Sequence, residues 1–142
     1  MHIALVANAR VPVAGYGGTE RVVTWLGRAL VEMGHRITLI ASPGSTMPGA
    51  TVVEASHRSL QERDFDVTSF LPPGVDIVHS HRQFRVLPPV PLLWTLHGNP
   101  PPGTELPPNT IFVSANHARR YGHTPYVHNG LDLAEYRYRD TK

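Results

Sequence analysis

Two groups of residues in this chain carry types and spacings suited to chemistry. The first is Gly15 to Met33, GYGGTERVVTWLGRALVEM, where a glycine cluster opens an amphipathic helix directly after the apolar run His2 to Ala7. A helix start leaves backbone N–H groups without partners and adds partial positive charge there. An anion such as a diphosphate settles on such donors, and glycines let it approach the backbone. Gly17 and Gly18 are the candidates for that contact. Glycine after a strand is also the ordinary way to turn a tight corner, and no complete G-x-G-x-x-G fingerprint is present.

The second group follows the later apolar runs: His79-Ser80-His81, His97-Gly98, Ser114 with Asn116, and His128-Asn129. Imidazoles hydrogen-bond hydroxyls, move protons or bind metal. His79 and His81 alternate along one strand and therefore share a face, so a metal pair is one reading. A catalytic zinc site needs about three protein ligands, for which Asp76 and His97 are the nearest additions. The plain reading of a strand-end histidine is a hydrogen-bonded structural residue, and His35, His57 and His123 are read that way. Trp25 and Trp94 are read as core.

These residues need elements to hold them. His2 to Ala7 is a first strand, nearly continuous in apolar residues as a strand buried on both faces is. A long loop, Asn8 to Gly18, leads to a helix with Thr19 as N-cap and Glu20 in its first turn. Val22, Trp25, Leu26, Ala29, Leu30 and Met33 repeat at three and four, giving one apolar stripe, and Gly34 ends the helix. His35 to Ala41 is a second strand, so the pair is a parallel, right-handed βαβ unit. Thr51 to Glu54 is a third strand. His57 to Pro73 reads as irregular with one helical turn.

Val75 to Val78 is the fourth strand, started by Asp76 and ended by His79-Ser80-His81. Pro88-Pro89 leaves room for no more than a stunted helix before the fifth strand, Leu92 to Leu96. The proline-dense stretch Pro100 to Pro108 is neither helix nor central strand. Thr110 to Val113 is the sixth strand. Ser114 caps a helix reaching Arg120, and Gly122 closes it. Pro125 to His128 is a last short strand, and Leu131 onward shows no apolar pattern that would close the fold. Alternating strands and helices define an α/β fold with a Rossmann-like parallel sheet flanked by helices. Ligands in such sheets bind at the carboxyl ends of the strands, where all the polar candidates fall.

Composition narrows the class. The chain has 142 residues, 41% hydrophobic and 17% charged, the profile of one globular domain rather than a disordered segment. No apolar run approaches the roughly 20 residues of a membrane span. Met1-His2-Ile3 enters a strand with no basic leader, which gives an expectation of a cytoplasmic protein. There are no cysteines, which removes disulfides, thiolate metal sites and a cysteine nucleophile. Net charge is +2, and Lys142 is the only lysine. The arginines suit carboxylate or phosphate but are scattered, so nucleic acid is not an expected partner.

The ordered motifs resemble the N-terminal, acceptor-side domain of retaining GT-B glycosyltransferases of family 4. They are Gly17-Gly18-Thr19-Glu20-Arg21-Val22-Val23, Gly34-His35-Arg36-Ile37-Thr38-Leu39, Asp76-Ile77-Val78-His79-Ser80-His81 and Thr95-Leu96-His97-Gly98. Phe112-Val113-Ser114-Ala115-Asn116 and Val127-His128-Asn129-Gly130-Leu131-Asp132 complete the set. The resemblance implies one half of a GT-B architecture, with residues 1–130 the N-terminal domain and 131–142 the start of an interdomain linker. The family's C-terminal domain holds most of the nucleotide-sugar through a basic pair and two glutamates; residues 1–142 are not expected to include it.

The resemblance also implies roles. Gly17 and Gly18 would lie against the donor diphosphate. His97 would border the transferred sugar, classed with the catalytic residues but acting in positioning, because the leaving phosphate serves as base. Glu20, His79, His81, Gly98, Ser114, Asn116 and Asn129 would form the acceptor and sugar surface. No metal and no cofactor are implied, only a nucleotide-sugar co-substrate, UDP- or GDP-linked. Partners would be that donor, an unidentified acceptor, and a C-terminal domain supplied in trans or through self-association. The expectation is an incomplete hexosyltransferase, inactive as this chain alone.

Three rivals stand beside it. A non-catalytic sugar- or nucleotide-binding module needs no second half. A dinucleotide-dependent oxidoreductase needs a third fingerprint glycine and an acid ending strand two, where the chain has Ile40-Ala41-Ser42. A metal hydrolase would be built on His79 and His81.

Overall fold

The computed structural model describes residues 1–136. Six parallel strands form a single sheet in the order β3-β2-β1-β4-β5-β6. They are β1 His2–Val6, β2 Arg36–Ala41, β3 Thr51–Glu54, β4 Ile77–Ser80, β5 Leu92–Leu96 and β6 Thr110–Phe112. Three α-helices accompany them: α1 Gly18–Glu32, α2 His57–Gln61 and α3 Ala115–Arg120. The chain reverses direction in the sheet between β3 and β4, so β1 and β4 lie side by side at the switch point. That is where an open parallel sheet leaves a crevice above its carboxyl ends.

Strand alternation divides the core between two faces. Leu5, Ile37 and Leu39 point to the α1 face and pack with Val23, Leu26, Leu30 and Val31. Ala4, Val6, Ile40 and Val78 point the other way, onto Leu60 of α2 and onto Phe65, Val67 and Phe84. Trp94, Leu96 and Phe112 continue that second face outward and receive Ala118 of α3. α1 therefore covers one half of one face, over β1 and β2, while α2 and α3 cover the opposite face.

Most elements stand where the sequence places them, and the departures have physical causes. The N-cap of α1 is Gly17, not Thr19, and no side chain caps the helix. The stripe is also rotated: Val23, Trp25 and Gly27 are the buried positions, while Ala29 and Met33 are exposed. Gly27 is the contact point, since a Cβ there would run into Met47 and the Leu5 methyl. A glycine counts for nothing in a hydrophobic pattern, so the close approach was hidden. Gly34 does end the helix, at φ +84°.

β4 lies two residues later than expected. Asp76 stays below the sheet, where its carboxylate accepts the His2 N–H at 2.7 Å, and Ile77 is the first residue in register, opposite Ile3. His79 thus sits inside the strand rather than after it. The stretch from His57 to Pro73 is more ordered than expected: α2 is capped by Ser56, and a 3-10 turn, Val67–Phe70, is capped by Asp66. The strand expected over Pro125 to His128 shrinks to one bridge between Phe112 and Tyr126. The segment after Leu131 is tied down by charge instead of by an apolar face. Arg28 of α1 pairs with Asp132 at 3.1 Å and Glu135 at 2.8 Å, around a 3-10 turn at Leu133–Glu135, and Tyr136 lies against Trp25. The rest of the expected linker, 137–142, lies outside the described residues.

Candidate functional site

Three imidazoles stand in a ladder at the β4–β5 end of the sheet. Ile77, His79 and His81 alternate onto the α1 face, so the rings of His79 and His81 stack, 4.6 Å between centroids and 25° apart. His97 comes off the end of the adjacent β5 and stacks in turn on His81 at 5.2 Å. His81 Nδ1 and His97 Nε2 share a hydrogen bond of 2.9 Å, and His79 Nε2 bonds Thr95 Oγ1 at 2.8 Å.

The backbone turn that aims His81 is fixed by Ser80. Its hydroxyl donates to the Arg82 carbonyl at 2.6 Å and accepts the Arg82 N–H at 3.1 Å. The Arg82 guanidinium then lies over Phe65 and Phe84, 5.2 and 5.6 Å from the ring centroids, anchoring the turn to the opposite core.

The loop after β5 is fixed by α3. Ser114 caps that helix, its Oγ accepting the His117 N–H at 3.1 Å. His117 Nε2–H in turn donates to the Gly98 carbonyl at 3.0 Å, and the Tyr121 hydroxyl donates to the Pro100 carbonyl at 2.8 Å. A carbonyl only accepts, so His117 Nε2 carries a proton, and its buried Nδ1 has no partner among the described residues. Arg120 reaches Asn99 at 3.1 Å on the same loop.

Burial sets the charge state of the ladder. His79 is pushed down to about 4, first by burial and then by the neighbouring His97. Burial holds His81 well below the usual imidazole range, with His79 and His97 adding to it. His97 is lowered by burial too, but the Glu20 carboxylate opposes that fall, and His117 adds to it. Glu20 itself folds back over Gly17, where a Cβ would meet its Oε2 at 2.7 Å and a Val13 methyl at 2.9 Å. A Cβ at Gly18 would meet nothing within 4 Å, so the surface there is open.

Two hollows flank the ladder. A depression of about 320 Å³ is lined by His97, Asn99, Val113, Ser114, Asn116, His117 and Arg120. A larger one, about 730 Å³, lies on the α1 face over β4 to β6, the half of that face α1 does not cover. Trp25, Leu26, His79, His81, Thr95 and Asn129 are among its walls. Of the expected site residues, His97, Ser114 and Asn116 meet at the small hollow, and His79, His81 and Asn129 at the large one; the His81–His97 bond joins the two sets. Gly98 contributes its carbonyl to His117. Gly17, Gly18 and Glu20 line neither hollow.

Sequence reasoning missed His117, Thr95 and Arg120. The signal for His117 was present, since it is the residue whose N–H the Ser114 cap must take. Among the described residues no group of three His, Asp or Glu is arranged to hold a metal ion. None of their helices is long and apolar enough to cross a membrane.

A parallel sheet ordered 3-2-1-4-5-6, with helices on both faces and polar groups gathered at its carboxyl rim, is the Rossmann-like fold of a glycosyltransferase GT-B domain. Among solved structures the chain is similar to AviGT4, a glycosyltransferase involved in avilamycin A biosynthesis, with 30% sequence identity and a TM-score of 0.71. The match covers 96% of this chain and 44% of that one, so the chain spans less than half the length of AviGT4. No family model and no curated protein sequence matches the chain.

Proposed function

We propose that this chain is the acceptor-side half of a nucleotide-sugar glycosyltransferase of the retaining, family 4 type, a hexosyltransferase once its donor-side half is present. The observation that supports this best is the meeting of His97, Ser114 and Asn116 at one hollow on the carboxyl rim, within a fold similar to AviGT4 over 96% of this chain. The donor would be a UDP- or GDP-linked sugar, its diphosphate against Gly17 and Gly18 and its sugar bordered by His97. Residues 1–130 would be the N-terminal domain, and the segment from 131 onward the linker to a C-terminal domain, joined in cis, in trans or by self-association.

In the reaction so read, the bond from the anomeric carbon to the phosphate oxygen breaks and the acceptor oxygen bonds that carbon on the same face. The acceptor proton passes to the leaving phosphate oxygen, so no protein base is required. His97, kept neutral by burial, supplies a hydrogen bond rather than a charge. The donor-side half would supply the cations that steady the departing diphosphate.

Transfer from UDP- and GDP-sugars, measured with the chain alone and after a donor-side glycosyltransferase domain is added, tests this. Negligible transfer alone and transfer on complementation are expected. Full turnover by the isolated chain would refute the half-enzyme reading.

A further inference from the structure

The His81–His97 hydrogen bond has one proton between two nitrogens, and the surroundings decide whose it is. His81 Nε2 is buried and has no partner among the described residues, and the residue is 8% exposed. If His97 donated, neutral His81 would accept on Nδ1 and carry its own proton on Nε2, an N–H buried with no acceptor. If His81 donates from Nδ1, the orphan atom is a bare lone pair. An orphaned buried donor is the rarer and costlier of the two.

From this we infer that His81 is a positioning residue that fixes His97 as its Nδ1–H tautomer, so that His97 presents a hydrogen-bond donor to an oxygen of the bound sugar or phosphate. The inference rests on the reading of His97 as a ligand-facing residue. His97 Nδ1 has no hydrogen-bond partner among the described residues, and the half-buried ring lines the small hollow beside Ser114 and Asn116. The stacked His79 ring, pinned by Thr95, closes the other side of His81 and keeps it from turning over. This coupling separates the two stacked neighbours by role: His97 touches the ligand, and His81 acts only through His97.

Long-range proton–nitrogen NMR on the chain with ¹⁵N-labelled histidine, at a pH where the ladder is neutral, reads the tautomer directly. The result expected is protonated nitrogen at His97 Nδ1 and unprotonated nitrogen at His97 Nε2. His81→Asn, which keeps a donor at the Nδ1 position, should preserve that pattern. His81→Leu should move His97 toward the Nε2–H form that free histidine favours in water. A proton on His97 Nε2 in the unsubstituted chain overturns the inference without reference to any variant, and so does an unchanged tautomer in His81→Leu. Addition of millimolar UDP-glucose or GDP-mannose should then shift the His97 Nδ1–H signal. Failure of that last step alone, with the tautomer as stated, counts against the proposed function and leaves the His81–His97 coupling standing.

Discussion

Gly17 and Gly18 are adjacent, yet they are glycines for different reasons. Gly17 is crowded: Glu20 Oε2 and the Val13 methyls occupy the space a side chain would take. Gly18 is open, and nothing among the described residues requires its small size. The proposed function gives Gly18 a reason, the approach of a diphosphate. Gly18→Ala should therefore leave the thermal midpoint unchanged or slightly raised, alanine being the better helix former, while weakening UDP-sugar binding about tenfold, or ~1.4 kcal/mol. Unaltered affinity, by titration calorimetry of the complemented enzyme, would remove Gly18 from the site.

The histidine ladder makes a second residue-scale prediction. In the unfolded chain His79 takes up a proton near pH 6.5; in the folded chain it does so only near 4. Below pH 6.5 the unfolded state binds more protons, so stability falls as pH drops from 6.5 toward 4. For His79 alone the loss is about 3 kcal/mol. His81 and His97, also lowered, add losses of the same sign. Urea midpoints at pH 7.5 and pH 5 should differ in that direction, and His79→Gln should make the slope shallower. A midpoint equal or higher at pH 5 would show that the ladder is not neutral when folded.

At the scale of elements, legibility in the sequence followed whether local chemistry alone decided the outcome. β3 and β5 matched residue for residue because turn residues bound both apolar runs. The Ser114 cap and Gly122 stop of α3 matched because each is a local hydrogen bond or a local φ, +75° at Gly122. β4 was misplaced because its start depends on Asp76 capturing the His2 N–H, 74 residues away. The phase of α1 was misjudged because its tightest contact is made by a residue with no side chain. Gly27→Val should cost about 1–3 kcal/mol through overpacking against Met47 and Leu5, read from the urea midpoint. A neutral result would mean that α1 sits further from the sheet than these contacts state.

For the molecule as a whole, the parallel sheet and its polar rim were readable from the alternation of apolar runs and loops. The division of the rim into two hollows was not. It depends on α1 covering half of one face, and on the segment from Val127 to Ala134 lying along the other half. No periodicity announces that segment, because two carboxylates on Arg28 hold it in place. The sequence also could not show that His81 and His97, 16 residues apart, share a proton. Under the proposed function, the ligand-facing groups would lie between α1 and α3, above the carboxyl ends of β4 to β6. A donor gripped there from one side would leave its far side for another domain.

That placement is tested most directly by mapping amide and histidine shifts of the labelled chain during titration with millimolar UDP- and GDP-sugars. Perturbations should gather on Gly17 to Glu20, His97 and Ser114, with the opposite rim around His2 and Gly74 silent. Perturbations centred on that opposite rim, or none at Gly17, Gly18 and His97, would contradict it.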